Sequence, residues 1–287
     1  MTSDLVLADR ECRRLSRRHG VSYYWATRLL GPDQRPHVHA LYAFCRRADD
    51  IVDLVDLVGT RDGDDGRAAA LDAFSEAFER SVLTGESEDP VLVAVARTIR
   101  HHHLDPSLFD RFFGAMAADL TVSEYASWDE LLGYMDGSAA VIGEMLLPIL
   151  DPADPAAALR PARHLGLAFQ LTNFLRDVGE DLDLGRRYLP REDLDRFGVD
   201  LTLRRVTPEF VALLRFEIER CEGLYDVAAT GLPLLPTRSR RCVGAALRSY
   251  RAILRRIEAN SFDVFTQRAS VPTSHKLLGV ASELVHR

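Results

Sequence analysis

The chain has 287 residues, of which 47% are apolar types and 28% charged, and its formal net charge is −7. That length and apolar content support a substantial core within one domain spanning 1–287, while the acidic balance excludes the global cationic footprint of a nucleic-acid-binding protein. Four dispersed cysteines, Cys12, Cys45, Cys221 and Cys242, form no Cys-x-x-Cys pair and read as reduced thiols in a cytoplasmic protein.

Period-two alternation is scarce, so the chain reads as helix after helix, an all-α fold. The charged opening from Met1 to Glu11 has no apolar run, so no secretory segment is expected. A first helix is expected near 5–18. Pro32 and Pro36 then bracket a turn, and a helix runs from about His37 to Leu57. The stretch from Gly59 to Gly66 reads as a solvated connection, because it lacks the register and closing glutamate of a calcium loop. Further helices are expected at about 67–82, 89–103, 107–119, 127–148, 155–181, 208–230 and 236–260. Asp151-Pro152-Ala153-Asp154-Pro155 reads as a stop and restart, with Asp154 the cap and Pro155 in the first turn. The run from Ala139 to Leu150 is too short for a membrane span and is interrupted by Glu144, so any membrane contact is expected to be peripheral. His101-His102-His103 cannot all point inward from one helix and lacks zinc spacing, so a solvated helix end is expected.

Two Asp-x-x-x-Asp pairs stand out, Asp49 with Asp53 and Asp177 with Asp181. A four-residue step returns side chains to nearly one helix face, so each pair presents two carboxylates together, an arrangement that disfavours an isolated helix unless a cation neutralises it. Mg²⁺, held by a few carboxylates plus waters and phosphate oxygens, answers that need. Each pair follows an apolar lead-in and lies near an arginine, Arg46 or Arg176. Gln170, Asn173, Asp177 and Asp181 form one polar line at steps of three, four and four, suited to a polar mouth above an apolar cavity. The loop after it, Leu182 to Pro190, can bring Arg186, Arg187 and Tyr188 over a bound anion. Arg46, Arg176 and Arg186 are the anion-binding candidates, since guanidinium offers a rigid fork to phosphate oxygens.

The run from Phe44 to Asp53, the run from Gln170 to Asp181 with its continuation Gly185-Arg186-Arg187-Tyr188-Leu189-Pro190, and the small-residue block from Tyr134 to Gly143 resemble the signatures of the squalene and phytoene synthase family, over most of the chain from His19 to Arg268. The motif wording is nearest that of the family's bacterial phytoene-forming members. The resemblance implies an isoprenoid synthase fold around a central prenyl cavity. It implies head-to-head condensation of two geranylgeranyl diphosphates, through a cyclopropylcarbinyl diphosphate, to phytoene. The alternative is a squalene or dehydrosqualene synthase acting on farnesyl diphosphate, and outside enzymes a prenyl-binding or assembly protein. A terpene cyclase or a head-to-tail synthase fits the continuous Gln170-to-Pro190 run less well.

The resemblance assigns Asp49, Asp53, Asn173, Asp177 and Asp181 to Mg²⁺, with Mn²⁺ as a substitute. It assigns Ser22, Arg46, Gln170, Asn173, Arg176, Arg186 and Tyr188 to substrate, and Gly137, Ser138, Ala139 and Ala140 to the cavity. Tyr42, Tyr134, Tyr188 and Tyr250 match aromatic positions near the family's site, where rings either face cationic intermediates or pack in the core. Ser22 reads equally as a helix cap, because Gly20-Val21 and Tyr23 depart from the family's wording. Asp119 either orients site arginines or is a surface carboxylate, Asp136 reads as a surface residue, and Glu144 as a neighbour of the cavity rather than a base. No nicotinamide is expected for phytoene formation, since proton loss quenches the last carbocation. The apolar product implies transient contact with a membrane or a downstream carotenoid enzyme; the oligomeric state is not specified.

Overall fold

The computed structural model describes residues 2–53, 63–267 and 269, without the side chains of 2, 3, 21–23 and 63–65. Its elements in order are α1 (Thr2–His19), α2 (Val21–Thr27), α3 (Arg35–Asp53), α4 (Gly63–Thr84), α5 (Pro90–His102), α6 (Ser107–Ala118), α7 (Trp128–Met135), a π-helical turn (Asp136–Ala140), α8 (Val141–Leu150), α9 (Pro155–Arg176), α10 (Val178–Asp183), α11 (Arg191–Phe197), α12 (Pro208–Ala229) and α13 (Thr237–Ala259), with short 3₁₀ turns at Leu201–Leu203 and Leu232–Leu234. Among the described residues there is no strand, and one isolated bridge joins Glu124 to Arg187. The expected extension of the second helix to Leu57, part of the connection from Gly59, and the tail from Ser270 lie outside the described residues.

Local chemistry explains the helix starts. Asp89 accepts from the Val91 amide at 2.8 Å with Pro90 in the first turn, and Asp154 accepts from the Ala157 amide at 3.0 Å with Pro155 in the first turn. Thr207 does the same for Phe210 at 3.2 Å. Each side chain satisfies an amide that the helix itself leaves unpaired.

Two long helices expected from the sequence are each divided. The helix expected at 127–148 contains the π turn, which inserts a wide turn at Asp136–Ala140. The helix expected at 155–181 ends at Arg176; Asp177, at φ −104° and ψ 15°, is the joint before α10. The i to i−4 pattern survives the joint, since Asp177 donates its amide to Asn173 O at 2.9 Å and Asp181 to Asp177 O at 2.8 Å.

Phe44 anchors α3. Its ring centroid lies 5.2 to 5.6 Å from those of Phe74 and Phe78 on α4 and Phe109, Phe112 and Phe113 on α6. Ala48 and Val52 continue that buried face at four-residue steps, so Asp49 and Asp53 fall on the neighbouring face of the same helix. On the other side, the Thr172 hydroxyl of α9 lies 2.7 Å from Ala168 O and 2.8 Å from the fully buried Tyr225 hydroxyl of α12.

The π turn and α8 press tightly on α9. A Cβ at Gly166 would sit on the Ala139 carbonyl, and one at Gly143 on the Ala162 carbonyl. Gly137 meets the other neighbour, because a Cβ there would lie 2.6 Å from Arg111 O of α6. Charge clamps the same three-way contact: Arg111 reaches Asp136 at 2.5 Å and Glu144 at 3.0 Å, and Arg163 of α9 contacts both acids. Asp136 is therefore not the lone surface residue expected. Glu144 is turned toward the arginines, while its neighbours Ile142 and Gly143 line the cavity.

Because backbone occupies the space beside Gly166, Gly166→Ala is expected to cost about 1–3 kcal/mol through overpacking. Gly223→Ala, where nothing lies within 4 Å of the added carbon in mid-helix α12, is expected to be neutral or to gain up to about 1 kcal/mol. Urea denaturation midpoints of the two variants check this contrast.

Candidate active site

A cavity of about 610 Å³ runs between α3, the π turn and α8, α9, and α13. Its walls carry Leu30, Leu146, Leu150, Leu165, Leu235 and Ala246 among other apolar groups, and its polar lining includes Arg46, Asp49, Gln170, Asn173 and Arg176. The π turn contributes Ser138 and Ala139 to the lining, whereas Gly137 packs on α6 and Ala140 is buried in the core without bordering the cavity. Of the four small residues assigned to the cavity, Ser138 and Ala139 line it, while Gly137 and Ala140 serve close packing instead.

The two acidic pairs meet through the loop after α10. Arg186 donates to Asp53 Oδ1 at 2.8 Å and to Val52 O at 3.4 Å, linking residues 133 positions apart. Its neighbour Arg187 turns the other way and pairs with Glu124 at 3.0 Å, while its amide donates to Ser123 O at 2.7 Å. One of two adjacent arginines is held over the acids and the other fastens the loop to the surface. Asp181, Arg186 and Tyr188 border a separate crevice of only about 10 Å³. Arg176 forks onto Asp177, with Nε 2.7 Å from Oδ1, and Arg46 pairs with Asp50 one turn on.

Asp119 is not a surface carboxylate. It is half-buried at the C-cap of α6 and accepts from the hydroxyls of Tyr134 at 2.6 Å and Tyr188 at 3.2 Å. Burial raises its pKa, while those hydroxyls and the charge of Arg186 oppose the rise. The two rings belong to an aromatic cluster in which Tyr188 lies 3.9 Å from Phe174 at an interplanar angle of 9°, with Tyr134 and Tyr125 5.8 and 6.2 Å from Tyr188 and 5.2 Å from each other. Tyr134 and Tyr188 do not border the main cavity, whereas Tyr42 and Tyr250 do. Tyr250 packs on Phe169 at 4.3 Å. Tyr42 lies so close to Gly20 that a Cβ there would be 2.6 Å from the ring. That contact leaves no room for a side chain at position 20 unless the Tyr42 ring shifts. Ser22 lies in α2, and its side chain is outside the described residues.

Sequence reasoning passed over Phe174 and Tyr125, which carry no charge pattern, and Asp50, the partner of Arg46. Phe174 lies inside the second acidic run, so its position was the available signal.

The squalene/phytoene synthase family model matches residues 16–275. The chain is 34% identical to 15-cis-phytoene synthase of Synechococcus elongatus, covering 96% of this chain and 92% of that one, and 35% identical to phytoene synthase of Arthrospira platensis, covering 93% and 89%. Among solved structures, a dehydrosqualene synthase in complex with ligand superposes with a TM-score of 0.88 at 28% identity over 98% of this chain and 97% of that one. A squalene synthase from Alicyclobacillus acidocaldarius gives 0.79 at 31% identity over 91% and 97%. The chain belongs to the squalene/phytoene synthase family.

It has the all-α isoprenoid synthase fold of that family and is a prenyltransferase that uses prenyl diphosphates. No described helix is long and apolar enough to cross a membrane.

The donor set fits a divalent cation. Asp49 is pushed up to about 7, by burial first and by the Asp53 carboxylate second. Asp181 is pushed up to about 8, by burial and then by Asp177. Asn173 Oδ1 and Arg46 Nε are buried at the same end of the cavity without hydrogen-bond partners. Oxygen donors crowded until they resist ionisation, beside an orphaned amide oxygen, are the setting a hard cation relieves.

Both carboxyls titrate above their ordinary value of 3.8, so the folded chain holds protons that the unfolded chain releases. Their contribution to stability is therefore complete below about pH 4 and is lost as pH rises through about 7 and about 8. In EDTA the melting temperature is expected to fall over that window, Mg²⁺ to restore it above pH 8, and the Asp49→Asn, Asp181→Asn double variant to flatten the curve. Buried Glu217, also raised to about 8, and Asp119 add to the remaining slope, while His37 and His39, lowered to about 4 by burial, oppose it below about pH 6.5. A melting curve measured at each pH by calorimetry checks the sign.

Proposed function

We propose that the chain joins two molecules of geranylgeranyl diphosphate head to head to form phytoene with release of two diphosphates. The observation that carries this reading is that Arg186 ties the two acidic pairs together, its amide donating to Asp181 O and its guanidinium to Asp53 Oδ1, beside an apolar cavity whose polar lining includes Asp49, Asn173 and Arg176. Identity to phytoene synthases over nearly the full chain supports the twenty-carbon substrate.

In the first half-reaction the allylic C–O bond of one substrate breaks and diphosphate leaves with the electron pair. The 2,3-double bond of the second substrate attacks the resulting cation, and loss of a proton closes a cyclopropylcarbinyl diphosphate. The second ionisation releases the other diphosphate, the ring rearranges, and a further proton loss gives the central double bond. The electron count closes without hydride, so no nicotinamide is required.

Asp49, Asp53, Asn173, Asp177 and Asp181 would hold Mg²⁺, with Mn²⁺ as a substitute, and the bound cation supplies charge to the departing diphosphate. Arg46, Arg176 and Arg186 orient the diphosphates by forked donation to their oxygens, and in the free protein each of the three is held by an aspartate, Asp50, Asp177 and Asp53. Gln170 and Asn173 add neutral donors and acceptors to the mouth, and Ser22 is assigned to phosphate by the family's pattern. Tyr42 and Tyr250 present rings to the cavity, where an aromatic face attracts a carbocation. Asp119 holds Tyr134 and Tyr188 in position through their hydroxyls. The leucine-rich walls exclude water that would quench the cations early. Delivery of so apolar a product calls for transient contact with a membrane or with the enzyme that next acts on it.

A second reading, dehydrosqualene formation from farnesyl diphosphate, is favoured by the TM-score of 0.88 to a dehydrosqualene synthase. Purified protein with Mg²⁺ and either substrate, followed by mass spectrometry of the hydrocarbon, separates the two. Phytoene from the longer substrate without nicotinamide is the expected outcome, and a thirty-carbon product from the shorter one alone replaces it with the second reading. Asp49→Asn and Asp177→Asn are each expected to lower turnover by about 10²–10³-fold, the scale of losing one group that stabilises transition-state charge.

A further inference from the structure

The histidines that close α5 do not simply face solvent. His101 and His102 gather on His37, 64 or more positions earlier on α3, with ring centroids 4.9 and 4.5 Å from it and 4.7 Å from each other. One ring nitrogen from each of the three lies within 4.8 Å of the others. His37 is buried, His102 half-buried and His101 exposed. His103 caps the helix in the left-handed region at φ +51° and stays outside the group.

The hydrogen bonds around His37 fix its tautomer. The Thr98 hydroxyl spends its single proton on Ala94 O at 2.8 Å, so toward His37 Nδ1, 2.9 Å away, it accepts. Nδ1 therefore carries the proton and Nε2 keeps its lone pair. A metal-ligating imidazole is held in the same way, one nitrogen donating to an oxygen and the other left to the ion. Nearby, His102 Nε2 is buried with no hydrogen-bond partner. A buried ring nitrogen without a partner is costly unless something is bound to it, and His102 presents one within this three-histidine cluster.

We propose that His37, His101 and His102 form a second metal site, for a borderline d-block dication of the zinc class, that staples the start of α3 to the end of α5. Three imidazoles with no carboxylate among them select Zn²⁺, Ni²⁺ or Cu²⁺ over Mg²⁺. Metal–nitrogen bonds of about 2.0–2.1 Å require the ring nitrogens to close to about 3.3 Å; His101, exposed in the last turn of α5, stacks on His37 at an interplanar angle of 12° and turns its ring out of that stack on binding. The fourth position faces solvent and takes water. His37 precedes Asp49 by twelve residues on α3, about 18 Å along the helix axis, so this site is separate from the acidic mouth.

The test uses the full chain without a histidine tag and Co²⁺ as a spectroscopic stand-in for Zn²⁺, with excess Mg²⁺ present to occupy the aspartates. The wild-type protein is expected to bind one Co²⁺ with the visible ligand-field bands of a four-coordinate nitrogen site and to melt at a higher temperature with Zn²⁺. His101→Ala and His102→Ala are each expected to weaken Co²⁺ binding by about tenfold or more. His101 is exposed, so its variant retains the fold and gives a clean comparison. Identical titrations for wild type and His101→Ala, loss of the bands in Asp49→Asn instead, or a sulfur-to-metal charge-transfer band pointing to Cys45 would each overturn the proposal.

Discussion

Everything at the mouth of this cavity follows from the difficulty of keeping several carboxylates close together in a partly dehydrated place. Asp49, Asp119 and Asp181, where burial works against ionisation, lie close to Asp53 and Asp177. The protein answers with three arginines: Arg186 on Asp53, Arg176 on Asp177 and Arg46 on the adjacent Asp50. Asp49, Asp119 and Asp181 are left with raised pKa values; two tyrosine hydroxyls donate to Asp119, so Asp49 and Asp181 are the groups for which a cation does most. The free state thus holds its charges in internal pairs that a diphosphate and its cations can take over: phosphate oxygens for the arginines, cations for the acids.

That balance depends on a scaffold that brings segments 133 positions apart within hydrogen-bond distance. The aromatic cluster around Phe44 fixes the roll of α3, and the Thr172–Tyr225 contact fixes α9. The glycine contacts let the π turn and α8 lie against α9, and the Arg111–Asp136–Arg163–Glu144 cluster holds the π turn between α6 and α9. Its cavity-facing residues, Ser138 and Ala139, are then part of the wall. Asp119 extends the same rigidity to the cluster around Tyr134 and Tyr188, because one carboxylate receives the hydroxyls of two different elements.

Much of this was legible in residue order. Helical periodicity and the Asp154–Pro155 restart located most helices, and the four-residue steps singled out both acidic pairs. What escaped lies in places where two distant segments decide the outcome together. The joint at Asp177 interrupts a run whose last proline, Pro161, lies sixteen positions earlier, so no proline marks it. The π turn at Asp136–Ala140 interrupts another whose only cue is small residues, and their division between cavity and helix contact depends on Arg111 O and Ala139 O, which no local pattern reveals. Asp119 was ambiguous because its partners lie 15 and 69 positions away. His37 gave no signal at all, since a single histidine acquires meaning only from the α5 histidines packed against it.

The central claim is that the two acidic pairs act as one cation and diphosphate site. A double-mutant cycle on Asp49→Asn and Asp177→Asn, read by calorimetric binding of inorganic diphosphate in the presence and absence of Mg²⁺, tests it most directly. One shared site predicts strong non-additivity, with either single change removing most of the Mg²⁺-dependent binding and the second adding little. Losses that simply add, or Mg²⁺-dependent binding that survives in the double variant, would contradict the account.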